Sequence, residues 1–438
     1  MNATKATKPL NLDSLKKAVT ENAAAFRCRR RLQPAGGEGD KVFPPTFVGA
    51  VYAVEQRRVF GNDGKVLAQP VTCVVLDTVQ SQANRMEQAL QEALDGKRLT
   101  IPVLKVDFSQ WSPTGDLDSD KTAGRLIDAV GTITSLQVPH RLADAILRDS
   151  EIAEGPEGPD GKKGKISFRK SSKGKALNTV SQQNATALYQ LCPTALIFGM
   201  WDSTGPKGGL GAKFERAMVS EVVGVGATVG DLVRGVRRDP LEIRAAVKVL
   251  KPGDKNWSLA AANANSAVSP SEVNHSSVPF PKQRDEKTDK NLYAGTTIEY
   301  AEQLTTLSLI ALRRLRFPAT DKTSPEIDAA GRTVLAALGL CAATLAFESG
   351  MGLRSRCLLW PEAAMSWELL EKPGNAPKEF SLTGDEAVAL LADAIKAAAT
   401  AGLNWEENPI ELVPQQKLVD LVRLSQLEAT KEDGQDPK

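Results

Sequence analysis

Apolar and polar side chains alternate on a two-residue period along "FRCRRRLQP" (residues 26–34), with Cys28 and Leu32 on one face and Arg27, Arg29 and Arg31 on the other. The pattern predicts a half-buried strand with a cationic outer face. Arginines also protect exposed sheet edges, but three on one face exceed what edge protection requires, which favours a binding face. A helix over residues 12–24, capped by Asn11 or Asp13, precedes this strand. A Gly/Pro-rich loop, a strand region over 46–60 and a "GNDG" turn follow it. "VTCVVLDTVQSQANRMEQALQEAL" then reads as a buried strand running into an amphipathic helix, with Met86, Leu90 and Leu94 on one face. At the junction, Gln80, Ser81, Gln82, Asn84 and Arg85 set polar side chains beside free helix N–H groups. That suits a phosphate or ribose, and it equally suits a capping cluster.

Farther along, "PTALIFGMW" predicts another buried strand, followed by a glycine-rich loop and an extended stretch through Val223. Residues 251–291 show neither period, and irregular segments of that length within compact domains are functional or disordered. A strand-like run at 296–300 and the apolar "LTTLSLIALRRLRF" lead to an Ala/Leu-rich helix over 325–347. The turn "ESGMGLRSRCLLW" opens a strand carrying Arg354 and Arg356. Thr383 and Glu386 form a capping box for a helix reaching about residue 400, with Val388, Leu391 and Ile395 inward. A last helix covers 414–427, and the residues beyond it are expected to be disordered. This interleaving predicts an α+β fold with an RRM-like sheet carrying insertions, whose exposed face and loops suit single-stranded RNA. The aromatic stacking motif of an RRM is missing, and only 5% of residues are aromatic. Binding through backbone and cations, with weak sequence preference, is therefore expected.

Composition narrows the chemistry. A chain of 438 residues, 42% apolar and 25% charged, can bury a sizeable core as two or three compact units or as one domain with large insertions. No stretch reads as a membrane span and the amino terminus has no secretory apolar run, so a cytoplasmic location is expected. The five scattered cysteines read as reduced, buried thiols. With only His140 and His275 present, no His-rich metal site can be built, and a Ser-His-Asp triad would have to use one of the two. "DLDSD" (Asp116, Asp118, Asp120) starts like a calcium loop, but Leu126 and Ile127 stand where a bidentate Glu should close it, so a helix-capping loop is the simpler reading. No cofactor is expected. Net charge is only +2, yet basic residues cluster in "RCRRR", "RGVRR", "RRLR" and "GKKGKISFRKSSKGK". The last of these carries Lys162, Lys163, Lys165, Arg169, Lys170, Lys173 and Lys175 and no acid, and the segment 154–175 around it reads as a mobile basic loop. From residue 405 to the end, eight carboxylates face four basic residues. Such segregation lets one surface attract a polyanion while the whole stays near neutral.

The glycine-rich stretch "WDSTGPKGGLGAKFERAMVSE" surrounds Lys207 and leads to Lys213 and Arg216. Bare amides and cations in such a loop can meet a phosphate chain; a hairpin turn with solvated lysines is the other reading. A P-loop fails on spacing, because Pro206 separates Gly205 from Lys207 and Gly208 follows; a dinucleotide fingerprint at Gly224, Gly226 and Gly230 fails on its interval.

The runs "RLQPAGGEGDKVFPPTFVG", "LDTVQSQANRMEQAL", "PTALIFGMWDSTGPKGGLGAKFERAMVSEVVGVG", "PSEVNHSSVPF" and "YAEQLTTLSLIALRRLRFP" resemble, in this order, the backbone subunit of the type I-G (formerly I-U) CRISPR Cascade complex, a member of the RAMP superfamily. "ESGMGLRSRC" is similar to the glycine-rich loop of RAMP proteins. The resemblance implies an RRM-like (ferredoxin-like) palm with inserted finger and thumb segments. The palm would occupy 1–250, with a basic finger near 154–175, and 292–370; the thumb would be 251–291 and a C-terminal helical extension 371–438. Several copies would polymerise head to tail along one CRISPR RNA, without catalysis, holding its spacer for pairing with target DNA. The other Cascade subunits and a recruited helicase-nuclease would be the further partners. Arg27, Arg29, Arg31, Ser81, Gln82, Asn84, Arg85, Lys207, Lys213, Arg216 and Arg354 would contact the RNA. Asn274 and His275 would belong to the thumb that separates base segments, and the 162–175 loop would be a finger or a DNA contact. Two other readings stand beside this one: a metal-dependent RAMP ribonuclease using Asp116, Asp118 or Asp202, and a general single-stranded RNA-binding protein.

Overall fold

A computed structural model describes residues 8–48, 51–59, 66, 68–157, 163–203, 211–229, 249–250, 258–260, 267–268, 295–318, 324–406 and 408–432. The fold is mixed α+β. Its principal elements in chain order are α1 (Leu12–Thr20), β1 (Ala25–Pro34), β2 (Val54–Arg57), β3 (Val71–Asp77), α2 (Val79–Asp95), β4 (Leu104–Asp107), β5 (Met218–Val225), β6 (Tyr300–Ser308), α3 (Pro325–Phe347), β7 (Met351–Arg354), β8 (Cys357–Pro361), β9 (Ser366–Leu370), β10 (Lys378–Ser381), α4 (Gly384–Thr400), β11 (Ile410–Pro414) and α5 (Gln416–Glu432).

A ten-stranded sheet runs in the order Lys8–Pro9, β10, β9, β1, β6, β5, β3, β2, with the β7–β8 hairpin joined to β1 through β8. Every pairing in it is antiparallel except that of Lys8–Pro9 with β10. The neighbours β8, β1, β6 and β5 form its centre; α2 precedes β5, and α3 joins β6 to the β7–β8 hairpin. The two-residue period holds on β1. Phe26, Cys28 and Leu32 are buried, whereas Arg29 is exposed and Arg27 and Arg31 are half-buried. Because β1 pairs with β6 on one side and with β8 and β9 on the other, its arginines do not guard an edge.

α3 is the hub of the helical layer, with α1, α2 and α4 packed on it. It is long and apolar enough to cross a membrane, but 78% of its most apolar window is buried inside the fold, which is why it lacks a polar face. Pro325 stands in its first turn behind the cap Ser324, and the capping box of Thr383 and Glu386 starts α4. Val388 and Ile395 pack against the core and Leu391 lies in it. All five cysteines are buried free thiols.

Five segments depart from expectation. "PTALIF" is a one-turn helix, Thr194–Phe198, not a strand. Pro193 takes helical angles before it, and all five helix residues are buried, so no polar face reveals the period. In the 46–60 region the described residues hold only the short strand β2. Arg356 lies not on a strand but in the β7–β8 turn with φ +54°. The basic 163–175 stretch is built into the fold through the buried Phe168 and the short helix Ser172–Ala176. Near the C terminus Ile410–Pro414 is a strand, absent from the pattern reading, and the last helix starts at Gln416. That strand pairs parallel with β4 and antiparallel with Ser150–Ile152 in a second, five-stranded sheet. The GNDG turn, the "RGVRR" cluster and the tail after Glu432 lie outside the described residues.

Candidate nucleic-acid interface

The face of the large sheet turned away from the helices carries the arginine column. In register across β1, β6 and β5, Arg27 lies opposite Thr306 and Val219, Arg29 opposite Leu304 and Glu221, and Arg31 opposite Glu302 and Val223. One end of this face is covered, where Val59, Cys73, Val223, Val225 and Tyr300 form a small apolar cluster. The other end is open: Leu304 is 39% and Val219 38% exposed beside the exposed Arg29. Acids share the face, and two are neutralised within it. Glu368 accepts from Arg27 Nε at 2.6 Å, and Glu221 pairs with Arg57 at 2.7 Å.

Val219 also lines a cleft of about 820 Å³. Val79 at the start of α2, His140, Arg141, Arg148, Trp201, Lys213 and Arg216 are among its other walls. Four basic side chains and a histidine thus converge beside the first turn of a 17-residue helix, where N–H groups and the helix dipole favour an anion. The stems of the glycine-rich loop form the wall. Trp201 pairs with Lys213 and Met200 with Phe214 in an antiparallel ribbon, and the Lys213 ammonium sits 5.5 Å from the Trp201 ring centroid. Gly199, at φ +85°, lets Arg216 pass closely, because a Cβ there would lie 3.1 Å from Arg216 Cγ. Two of the cationic walls have other duties. Arg141 is buried in a bidentate pair with Glu87 at 2.7 Å, and Arg148 pairs with Asp149 at 3.1 Å.

Arg27, Arg29, Arg31, Lys213 and Arg216 therefore come together on one side of the molecule. At the start of α2, Thr78 is the cap, its hydroxyl accepting from Ser81 N at 3.3 Å; Asn84 is exposed and Ser81 half-buried. Gln82 is fully buried, donating to Asp77 at 2.6 Å and accepting from Ser220 at 2.8 Å and Gln303 at 3.2 Å. Arg85 and Arg354 both reach the buried Asp77, at 2.9 and 3.5 Å. They also donate to the carbonyls of Leu353 and Leu76 at 2.7 and 2.8 Å, so these two guanidiniums tie α2 and the β7–β8 hairpin to β3. Within the basic stretch, Arg169 forms a bidentate pair with Asp202 at 2.8 and 3.0 Å, and Lys173 pairs with Glu406 at 2.7 Å. Lys163, Lys165, Lys170 and Lys175 are exposed. Lys162, Lys207, Asn274 and His275 lie outside the described residues.

Sequence patterning missed Arg148, Arg141 and His140 as cleft residues, because they come from a region without regular period. Trp201 stood at the edge of the quoted glycine stretch and was legible. Two of the acids proposed for metal chemistry serve the fold: Asp120 accepts from Thr114 N and Oγ1, each at 2.8 Å, and Asp116 accepts from Ser119 Oγ at 2.8 Å, while the side chain of Asp118 lies outside what is described.

The family model described as CRISPR-associated protein GSU0053 matches residues 26–229, from the arginine strand through the glycine-rich loop and β5. Over that stretch, somewhat less than half of the chain, the sequence is similar to a CRISPR-associated family. No curated protein matches the chain.

Proposed function

We propose that this chain is a non-catalytic guide-RNA-binding subunit that polymerises along CRISPR RNA to form the backbone of a type I-G (formerly I-U) Cascade complex. The observation that carries the reading is the arginine column on a central strand, paired along its length with β6 and at its two ends with β9 and β8, beside a cationic cleft, both inside the matched region. Cations and backbone amides grip phosphates whatever the sequence, while base pairing supplies specificity. The order β8, β1, β6, β5 with helices on one face supports an RRM-like palm, and the long interval between β5 and β6 suits an inserted thumb. Arg27, Arg29, Arg31, Ser81, Asn84, Lys213 and Arg216 form the RNA contact in this reading; Gln82, Arg85 and Arg354 hold its scaffold. The exposed lysines of 163–175 form a finger toward the target DNA. Further copies of the chain, the remaining Cascade subunits and a recruited helicase-nuclease are the partners, in the cytoplasm.

The ribonuclease reading is disfavoured at Asp116 and Asp202, whose oxygens are held by Ser119 and Arg169. Sequencing of RNA co-purified with the protein from cells carrying a CRISPR array tests the proposal. Spacer-repeat RNA is expected; a heterogeneous pool would point to a general single-strand binder.

A further inference from the structure

Trp360 is the most exposed large aromatic among the described residues, with 60% of its surface open. On β8 the alternation is strict: Cys357 and Leu359 are buried, and Leu358 and Trp360 face outward. Trp360 lies directly opposite Gln33 on β1, and Gln33 shares its face with Arg31 and Arg29 two and four residues back. On the other side the neighbour is Gly350, at φ +95°, where an added Cβ would lie 3.3 Å from Trp360 Cε3. The indole thus has a bare backbone on one flank and, on the other, the strand that carries the arginine column, with Gln33 as its direct neighbour donating to Glu362 at 2.8 Å. An exposed tryptophan of this kind is not explained by packing, since its ring adds little to the core it leaves.

We infer that Trp360 is a stacking platform for a base of the single-stranded RNA whose phosphates the arginine column attracts. The inference rests on the RNA-binding reading above and adds to it an aromatic contact. The charge beside the ring selects the occupant: a strand that brings phosphates to Arg29 and Arg31 carries its bases within reach of the same face, and every base has a π-face to offer. A flat aromatic surface alone would equally suit an apolar protein patch; three arginines on the adjacent strand do not.

The test compares binding of the full-length protein to a short mixed-sequence RNA and to a matched abasic ribose-phosphate oligomer, by fluorescence anisotropy over a salt series. Trp360→Ala is expected to weaken RNA binding about five- to a hundredfold, as removal of one stacked base does. Trp360→Phe should keep most of the affinity, and neither change should alter binding of the abasic oligomer or the slope of affinity against salt. RNA affinity unchanged in Trp360→Ala would overturn the inference, as would an equal loss on both oligomers, which would mark a structural effect. Intact binding by single subunits with fewer copies assembled per RNA would assign the ring to a neighbouring copy instead. Wild-type protein that binds neither oligomer would overturn the RNA-binding reading itself, and the stacking platform with it.

Discussion

The guanidinium carbon of Arg31 lies 3.7 Å above the centroid of the Tyr300 ring. The two residues sit diagonally across the β1–β6 pair, since Arg31 is opposite Glu302 and Leu32 is opposite Ala301. Beneath Tyr300 lies the apolar cluster of Val59, Cys73, Val223 and Val225. The ring therefore anchors a cation at a fixed height over the sheet, and a pre-positioned cation loses less side-chain freedom on meeting a phosphate.

Lysine at position 31 keeps the charge and loses the planar stack. Arg31→Lys is expected to weaken RNA binding about two- to fivefold while the salt slope stays the same. Anisotropy titrations at several ionic strengths check this. Equal affinity for the two proteins would show that the stack contributes nothing to the grip.

Lys213 and Arg216 are expected to act through charge. Reversal of both to Glu should weaken binding of every RNA sequence alike and flatten the dependence of log affinity on log salt by about one for each phosphate no longer neutralised. A variant with wild-type affinity and slope would remove the cleft from the binding surface.

The elements that set up this surface were legible to different degrees. The face of β1 followed from the alternation of Cys28 and Leu32 with Arg27, Arg29 and Arg31, because a half-buried strand writes its geometry as a period of two. α4 was legible from its own period and the Thr383–Glu386 box, whereas α3, which has no polar face, was legible from its Ala/Leu-rich composition. Thr194–Phe198 was not, since five buried apolar residues carry no period. β11 was hidden because its partners β4 and Ser150–Ile152 are remote in the chain. Arg30, between Arg29 and Arg31, is buried and donates to Phe347 O at 2.7 Å at the end of α3. Charge alone could not tell it from its neighbours, though strand phase does. The same limit applies to Arg85 and Arg354, whose partner Asp77 sits at the end of a buried strand.

Gly224 is required by space. A Cβ there would lie 2.6 Å from Ile298 Cγ2 and 3.1 Å from Val74 Cγ1, inside the core beneath β5. Gly224→Ala is expected to destabilise the fold by about 1–3 kcal/mol. Denaturant unfolding measures it, and a variant as stable as wild type would show that the two neighbours move aside freely.

Burial pushes the Glu87 carboxyl above its ordinary value of 4.5, while the charge and hydrogen bonds of Arg141 oppose the rise. Arg141→Met removes the opposition, so the variant should lose about 3–5 kcal/mol at neutral pH. A carboxyl raised in the folded state favours folding below its unfolded pKa and loses that contribution as pH rises through the folded one. The variant should accordingly regain stability as pH falls toward 4.5, and Glu87→Gln in the same background should abolish that recovery. Unfolding curves across pH decide the point; a pH-independent loss would mean that Glu87 is not the group responsible.

The most direct test of the proposed backbone role is native mass spectrometry of the complex assembled on CRISPR RNAs of two spacer lengths. A subunit that polymerises along its guide should add copies as the spacer lengthens, each copy covering a fixed number of nucleotides. A single copy on both RNAs, or protein free of RNA, would contradict the account.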